Sequence, residues 1–461
     1  MTPTHPSQAP VPMRRIVQIW WPLAASWLLM AVELPALSAV VARLANPEIN
    51  LAAYGGVVFP VSLIIESPII MLLSASTALS KDWDSYLKLR RFMMRAGALL
   101  SILHVLIAFT PLYYVIAVGL IGAPTEIIEP ARIGLMIMTP WTWSIAYRRF
   151  NQGVLIRFGH SRTVGFGTLV RLSADGLVLW IGYLIGAIPG IVVATSAVAT
   201  GVVSEAIYAG LRVRPVLRDQ LKQTAPAEQP LTLRTFLDFY TPLAMTSLLN
   251  LLVQPIGSAT LSRMPDALES LAVWPVVSGL IFMLRSLGFA YNEVVVAMLD
   301  EPGAVYSLRR FTALLVASTT ALLLIMAATP LAQFWFRRVS ALTPSLATLA
   351  QWGLWIALPI PGLTVLQNWY QGNLVHSRRT RAIARAMAVF LLTTIVILWA
   401  GVAWGQLTGL YISLLAFGAS LLTQNVWLWQ RNRLAVQARY AAGASSTGGQ
   451  PLGPSSGSSR Q

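Results

Sequence analysis

The tetrapeptide Leu89-Arg90-Arg91-Phe92 returns 219 residues later as Leu308-Arg309-Arg310-Phe311, and the comparison extends outward from there. At the same offset Ser67 falls on Ser286, Thr110-Pro111-Leu112 on Thr329-Pro330-Leu331, and Pro140 on Pro359. Gln152-Gly153 falls on Gln371-Gly372, Leu155 on Leu374 and Arg162 on Arg381. With a one-residue slip, Pro22-Leu23-Ala24 matches Pro242-Leu243-Ala244. Leucine on leucine is expected of any two apolar segments. Proline, Gln-Gly and Arg-Arg-Phe holding one register is not, and self-similarity at a fixed period marks an internal repeat.

The repeated unit is too apolar for water. Hydrophobic residues make up 56% of the 461 and charged ones only 11%, against roughly 25% charged in a globular domain. A helix needs about 20 mostly apolar residues to cross the hydrocarbon. Twelve such stretches fit: 16–42, 51–79, 92–121, 131–156, 164–187, 190–213, 235–261, 268–299, 310–336, 346–375, 382–404 and 407–431. Open sheets are excluded, because an edge strand in lipid leaves backbone groups unpaired. The expected fold is therefore an all-α polytopic membrane protein of twelve transmembrane helices. An even number of spans per repeat makes the two six-helix halves parallel, related by a pseudo-twofold along the membrane normal. The organisation that follows is an N-terminal segment 1–15, one lobe over 16–213, a linker over 214–234, a second lobe over 235–431 and a tail over 432–461. The linker holds Pro215, Pro226 and Pro230, and the tail is expected to be disordered from Ala441.

A net charge of +16 raises the question of nucleic acid, and the placement of the bases answers it. An inside N-terminus leaves 21 Lys and Arg in segments on one face, among them Arg14, Arg15, Lys81, Lys88, Arg157, Arg214, Arg378, Arg379 and Arg439. The other face has four: Arg43, Arg263, Arg337 and Arg338. This is the positive-inside asymmetry of short membrane loops, with both termini cytoplasmic in an inner (plasma) membrane and no nucleic-acid partner. The chain has no cysteine, which excludes disulfides and cysteine-ligated metals. His5, His104, His160 and His376 form no metal spacing, and His104 reads as a packed or hydrogen-bonded side chain. No phosphate-binding Gly-Lys-Ser/Thr loop is present. The expectation is a non-enzyme without cofactor, acting as a monomer.

Two parallel six-helix repeats with a proline in each first helix resemble the superfamily of multidrug and toxic compound extrusion transporters and lipid-linked oligosaccharide flippases. Shorter strings are closest to the progressive ankylosis family. They are Tyr54-Gly55, Ser67-Pro68, Gln254-Pro255-Ile256, Ser262-Arg263, Trp274-Pro275-Val276, Pro359-Ile360-Pro361, Gly372 and Arg378-Arg379. The resemblance implies outward transport of an anion such as pyrophosphate, a nucleotide or an organic acid. Glu66, ahead of Ser67-Pro68, departs from that family's uncharged pattern, so the substrate does not carry over.

Ionisable side chains within spans are costly and mark functional sites. Here they are Glu33, Glu66, Arg132, Arg148, Arg149, Arg171, Asp175, Glu205, Arg285 and Glu293. Glu66 and Arg285 are equivalent under the 219-residue offset, so they either meet as a gate at the pseudo-twofold axis or separately line a wet cavity. Glu33 stands two residues before Pro35, which frees a carbonyl and bends the helix; it is a proton-coupling candidate or a partner for a neighbouring helix. Arg148, Arg149 and Gln152, with Gln367, Asn368 and Gln371 in the second half, form a polar stripe fit for an anion or for snorkelling to headgroups. Arg171 and Asp175 are expected to pair along one helix face. Glu205 sits among small residues and reads as a packing contact. Asn250, Gln254, Asn292 and Glu293 add polar groups to the seventh and eighth spans.

These readings converge on secondary active transport by alternating access, with an anionic small molecule bound between spans 1, 2, 7 and 8. Arg285, Glu66, Arg148, Arg149, Gln254 and Asn292 are the candidates for binding or gating. Glu33, Glu66 and Glu293 are the candidates for coupling to a proton or sodium ion. The rivals are a cationic drug extruder using Glu33, Glu66 and Glu293, a flippase for a lipid-linked precursor, and a scaffold that transports nothing.

Overall fold

The computed structural model describes residues 11–447 except 228, 300, 302, 378 and 379. Arg378, Arg379 and the side chain of Arg439 therefore lie outside the described residues. Regular structure among the described residues is entirely helical. The first lobe contains α1 (Met13–Val41), α2 (Pro47–Leu79), α3 (Trp83–Phe109), α4 (Thr125–Ile137 continued by Thr139–Arg157), α5 (Ser161–Ile185) and α6 (Gly190–Gln223). The second contains α7 (Leu233–Leu261), α8 (Ala267–Met298), α9 (Ala304–Ala328), α10 (Pro344–His376), α11 (Thr380–Trp404) and α12 (Gly409–Thr447). Eleven of these helices are long and apolar enough to cross a membrane. The exception is α4, made too polar by Arg132, Arg148 and Arg149. Leu99, Leu120, Leu184, Trp352 and Val396 each leave more than half their surface uncovered, which lipid tolerates and water does not.

The repeat recurs break by break. Helix α1 is interrupted at Val32 and α7 at Leu252, each three residues before a proline whose missing N–H frees the carbonyl four residues back. The turns after them pass through left-handed Asn46 (φ 51°) and Asp266 (φ 52°), residue types that tolerate this region. Short π-helical turns occupy Val115–Ile121 and Phe334–Val339, and α5 and α11 both end at a left-handed glycine, Gly186 and Gly405.

Three expected boundaries move. The spans drawn over 92–121 and 310–336 end at Phe109 and Ala328, because Thr110 and Thr329, each preceding a proline, are extended rather than helical. The disordered tail expected from Ala441 is helical as far as Thr447, since extending a formed helix through alanines costs little; residues beyond it lie outside the described ones. Part of the segment between the lobes is anchored. The Asp82 carboxylate accepts hydrogen bonds from the backbone N–H of Ser85, capping α3, and of Ala227, both at 2.8 Å. Burial pushes that carboxyl up, but these bonds and nearby Lys88 outweigh it and hold it below its usual range.

The repeated Gln-Gly has a packing cause. A Cβ on Gly153 would lie 2.4 Å from the Leu73 carbonyl of α2, and one on Gly372 would lie 2.7 Å from Val295 Cγ1 of α8. The fourth helix of each lobe thus rests on the second through a bare backbone.

Two reciprocal sets of contacts join the lobes. Arg43, ending α1, donates to the carbonyls of Arg338 (2.5 Å) and Val339 (2.8 Å) in the second lobe. Its counterpart Arg263, ending α7, donates to those of Ile121 (2.7 Å) and Leu120 (2.9 Å) in the first. Nearer the basic face, Trp20 Nε1 donates to Leu287 O at 3.0 Å, and its counterpart Tyr240 donates its hydroxyl to Pro68 O.

Gly153→Ala should force α2 and α4 apart, lowering stability by about 1–3 kcal/mol. A fall in melting temperature in detergent is expected, with no fall for Gly165→Ala, where a Cβ meets nothing within 4 Å.

Candidate functional site: an inter-lobe cavity

A cavity of about 400 Å³ lies between the lobes, lined by residues of α1, α2, α5, α7, α8, α10 and α12. On α1 its lining runs from Met30 to Leu37. At 1.5 Å per residue, this puts it between the level of Trp20 and that of Arg43. The two reciprocal contact sets therefore bracket it. Its wall is apolar over most of its area, including Leu34, Phe59, Trp274, Ile281, Phe282 and Leu414. Three charged side chains reach it: Glu33, Arg171 and Arg285.

Glu33 and Arg171 are already spent on each other. Arg171 Nη2 lies 2.5 Å from Glu33 Oε1, and its Nε lies 3.8 Å from Asp175 Oδ2. The expected Arg171–Asp175 pair is thus the weaker arm of a bridge to α1. Arg285 has no such partner: no carboxylate among the described residues lies within ion-pair distance of it. Its Nε donates to Thr364 Oγ1 at 2.9 Å. The guanidinium packs on the rings of Phe417 (4.7 Å) and Phe289 (5.2 Å), a cation–π setting that suits a weakly hydrated cation.

Behind the cavity the first lobe holds a second charge cluster. Arg148 pairs with Glu205, which also accepts from Gln152 Nε2 at 2.9 Å. The packing role expected of Glu205 is corrected, because it is the acceptor that makes burial of Arg148 affordable. The signal was present in sequence: Arg148 and Gln152 put two donors on one helix face. Arg148 is 5% exposed, so it does not snorkel. Among the described residues Arg149 makes no ion pair, and buried Glu66, within electrostatic reach of Arg149, Arg148 and Arg171, has no hydrogen-bond partner for its Oε2. A smaller cavity of about 220 Å³ borders Glu33 and Asp175. His104 bonds Thr142 Oγ1 and Leu135 O and is no metal ligand, and no three-residue metal cluster occurs among the described residues.

The structure brings Glu33, Gln254 and Arg285 to one cavity, and leaves Glu66, Arg148, Arg149, Asn292 and Glu293 out of its lining. Glu66 and Arg285 do not pair. Each turns toward the fourth helix of its own lobe, Glu66 to the arginines of α4 and Arg285 to Thr364 of α10, so the shared depth never becomes contact. Asn292 bonds the Asn368 carbonyl at 3.4 Å. Glu293 is exposed; eight residues along α8 from Arg285, it is rotated away by about 80°. Phe417, unremarkable in sequence, becomes a site residue through its stacking.

No family model matches the chain, and no curated protein matches it in sequence. Solved structures do match. An inward-facing multidrug resistance MATE transporter of the MOP superfamily superposes with a TM-score of 0.66 at 14% identity, over 91% of this chain and 99% of that one. The chain has the fold of these transporters. The lipid II flippase MurJ, in an inward closed conformation, gives 0.64 at 14% identity, over 89% and 87% of the two chains. A MOP-superfamily transporter from Pyrococcus furiosus, described as having a binding pocket of reverse polarity, gives 0.60 at 17%, over 92% and 96%.

Glu205→Ala should leave Arg148 buried without its counter-charge and cost about 3 kcal/mol or more. The double variant Arg148→Met, Glu205→Leu should recover most of the lost melting temperature.

Proposed function

We propose that this protein is a secondary active transporter that moves an anionic small solute by alternating access, with Arg285 as the anion's contact. The observation supporting this is the imbalance of the cavity: Glu33 is occupied by Arg171, while the guanidinium of Arg285 has only a hydroxyl and two aromatic faces. A cation extruder needs a free carboxylate on that wall. A flippase for a polyanionic headgroup needs more free bases than one. The short strings shared with the progressive ankylosis family agree with an anion, and the charge asymmetry supports cytoplasmic termini and a plasma-membrane location.

Coupling belongs to the first lobe. Glu33 flanks the proline-caused interruption of α1 and pairs with Arg171 of α5, so protonation there would free Arg171 and untie α1 from α5 beside that bend. The reciprocal contacts supply the gates. Arg43 and Arg263 close the outer side, Trp20 and Tyr240 the inner, and transport requires that one set break while the other holds.

In proteoliposomes, Arg285→Gln should reduce organic-anion efflux at least tenfold, and Glu33→Gln should abolish its dependence on an imposed pH gradient. Exchange of an organic cation such as ethidium for protons, with no anion moved, would replace this reading by drug extrusion.

The chain lacks cysteine, so Ser278→Cys, on the cavity wall, gives a single reporter. Its labelling by an impermeant maleimide from outside should rise severalfold when Arg43→Ala and Arg263→Ala are combined. Unchanged labelling would remove the arginines from the gate.

A further inference from the structure

Resting on the reading of Arg285 as the anion's contact, the chemistry of the cavity narrows what that anion can be. We propose that the solute is a monoanion carrying a flat apolar body, such as an aromatic carboxylate or sulfonate, and is not a pyrophosphate, nucleotide or other polyanion.

The charge count comes first. Of the three charged side chains on the wall, Glu33 and Arg171 cancel, leaving one positive charge to be met. A multiply charged solute would bring charges that nothing in the cavity balances, and uncompensated charge is strongly disfavoured where water is excluded. Arg285 offers a single docking edge. Its Nε is committed to Thr364, so Nη1 and Nη2 remain, a spacing that grips one carboxylate or sulfonate through two parallel bonds. The rings of Phe417 and Phe289 lie 4.7 and 5.2 Å from its Cζ and supply no atom that competes for an anion.

The rest of the wall asks for hydrophobic surface. Trp274, Phe282, Phe59 and Leu414 line it, with Gln254, Ser278 and Tyr54 among its neutral polar groups. A hydrated polyanion would strip water from its own oxygens against these side chains and receive nothing in return. An aromatic ring system would bury its faces there. The cavity of about 400 Å³ holds about thirteen waters at liquid density, room for two fused rings and one acidic group.

The test uses one ring system with different charges. Equilibrium binding of radiolabelled 2-naphthalenesulfonate to the purified protein would be measured, with naphthalene-1,3,6-trisulfonate, pyrophosphate, ATP and 2-naphthylmethylammonium as competitors. Saturable binding should weaken at least tenfold in Arg285→Gln, weaken less in Arg285→Lys, and weaken severalfold in Phe282→Ala. The melting temperature of each variant would confirm that it is folded. The trisulfonate, pyrophosphate and ATP should fail to compete at hundredfold excess. Absence of saturable monosulfonate binding, or competition by the polyanions that depends on Arg285, would overturn the substrate class; in the second case the anion reading survives. Binding of the naphthylmethylammonium cation alone, lost in Glu33→Gln, would overturn both.

Discussion

A guanidinium taken into a membrane interior is costly without a counter-charge, and much of the first lobe is arranged around supplying one. Arg148 reaches across from α4 to Glu205 on α6, Arg171 from α5 to Glu33 on α1, and Glu66 on α2 faces the arginines of α4. Five of the lobe's six helices are thereby tied by charge as well as by packing. Small residues let them approach. On α6, a Cβ at Gly201 would lie 1.6 Å from Asp175 Oδ1, so only glycine leaves room for that carboxylate. Charge pairing and close approach are therefore one constraint, and it fixes where the wall of the central cavity stands.

The second lobe repeats this architecture without the electrostatics. At positions equivalent to Glu33, Arg148, Arg149, Arg171, Asp175 and Glu205 stand Val253, Gln367, Asn368, Phe390, Thr394 and Gln424. A valine, three amides, an aromatic ring and a hydroxyl replace six charges, and Arg285 stands in the place of Glu66. Two lobes of one shape thus divide the work: one holds titratable groups behind the cavity wall, the other presents a single fixed cation on it. The pseudo-twofold repeats the shape while allowing the two halves different chemistry.

The fold was legible because its cause is periodic. The prolines after Thr110 and Thr329 and the Gln-Gly contact recur at one offset, and each corresponds to a structural event in both lobes. The site was legible only in composition. That Glu33, Gln254 and Arg285 belong to a central cleft could be read from span number and depth. The partners could not, because pairing depends on rotation about each helix axis and on which helices are neighbours. Glu205 lies 57 residues from Arg148 and Glu33 lies 138 from Arg171, so no local pattern links them. The same gap explains Glu66 and Arg285: equal depth was visible, whereas the turn of each toward its own fourth helix was not.

The lobe-joining contacts of Arg43 and Arg263 end on backbone carbonyls, not on carboxylates. Arginine keeps its proton at any physiological pH, and a peptide oxygen has none to gain. On the proposed reading of these contacts as a gate, acid on that side of the membrane would leave them in place.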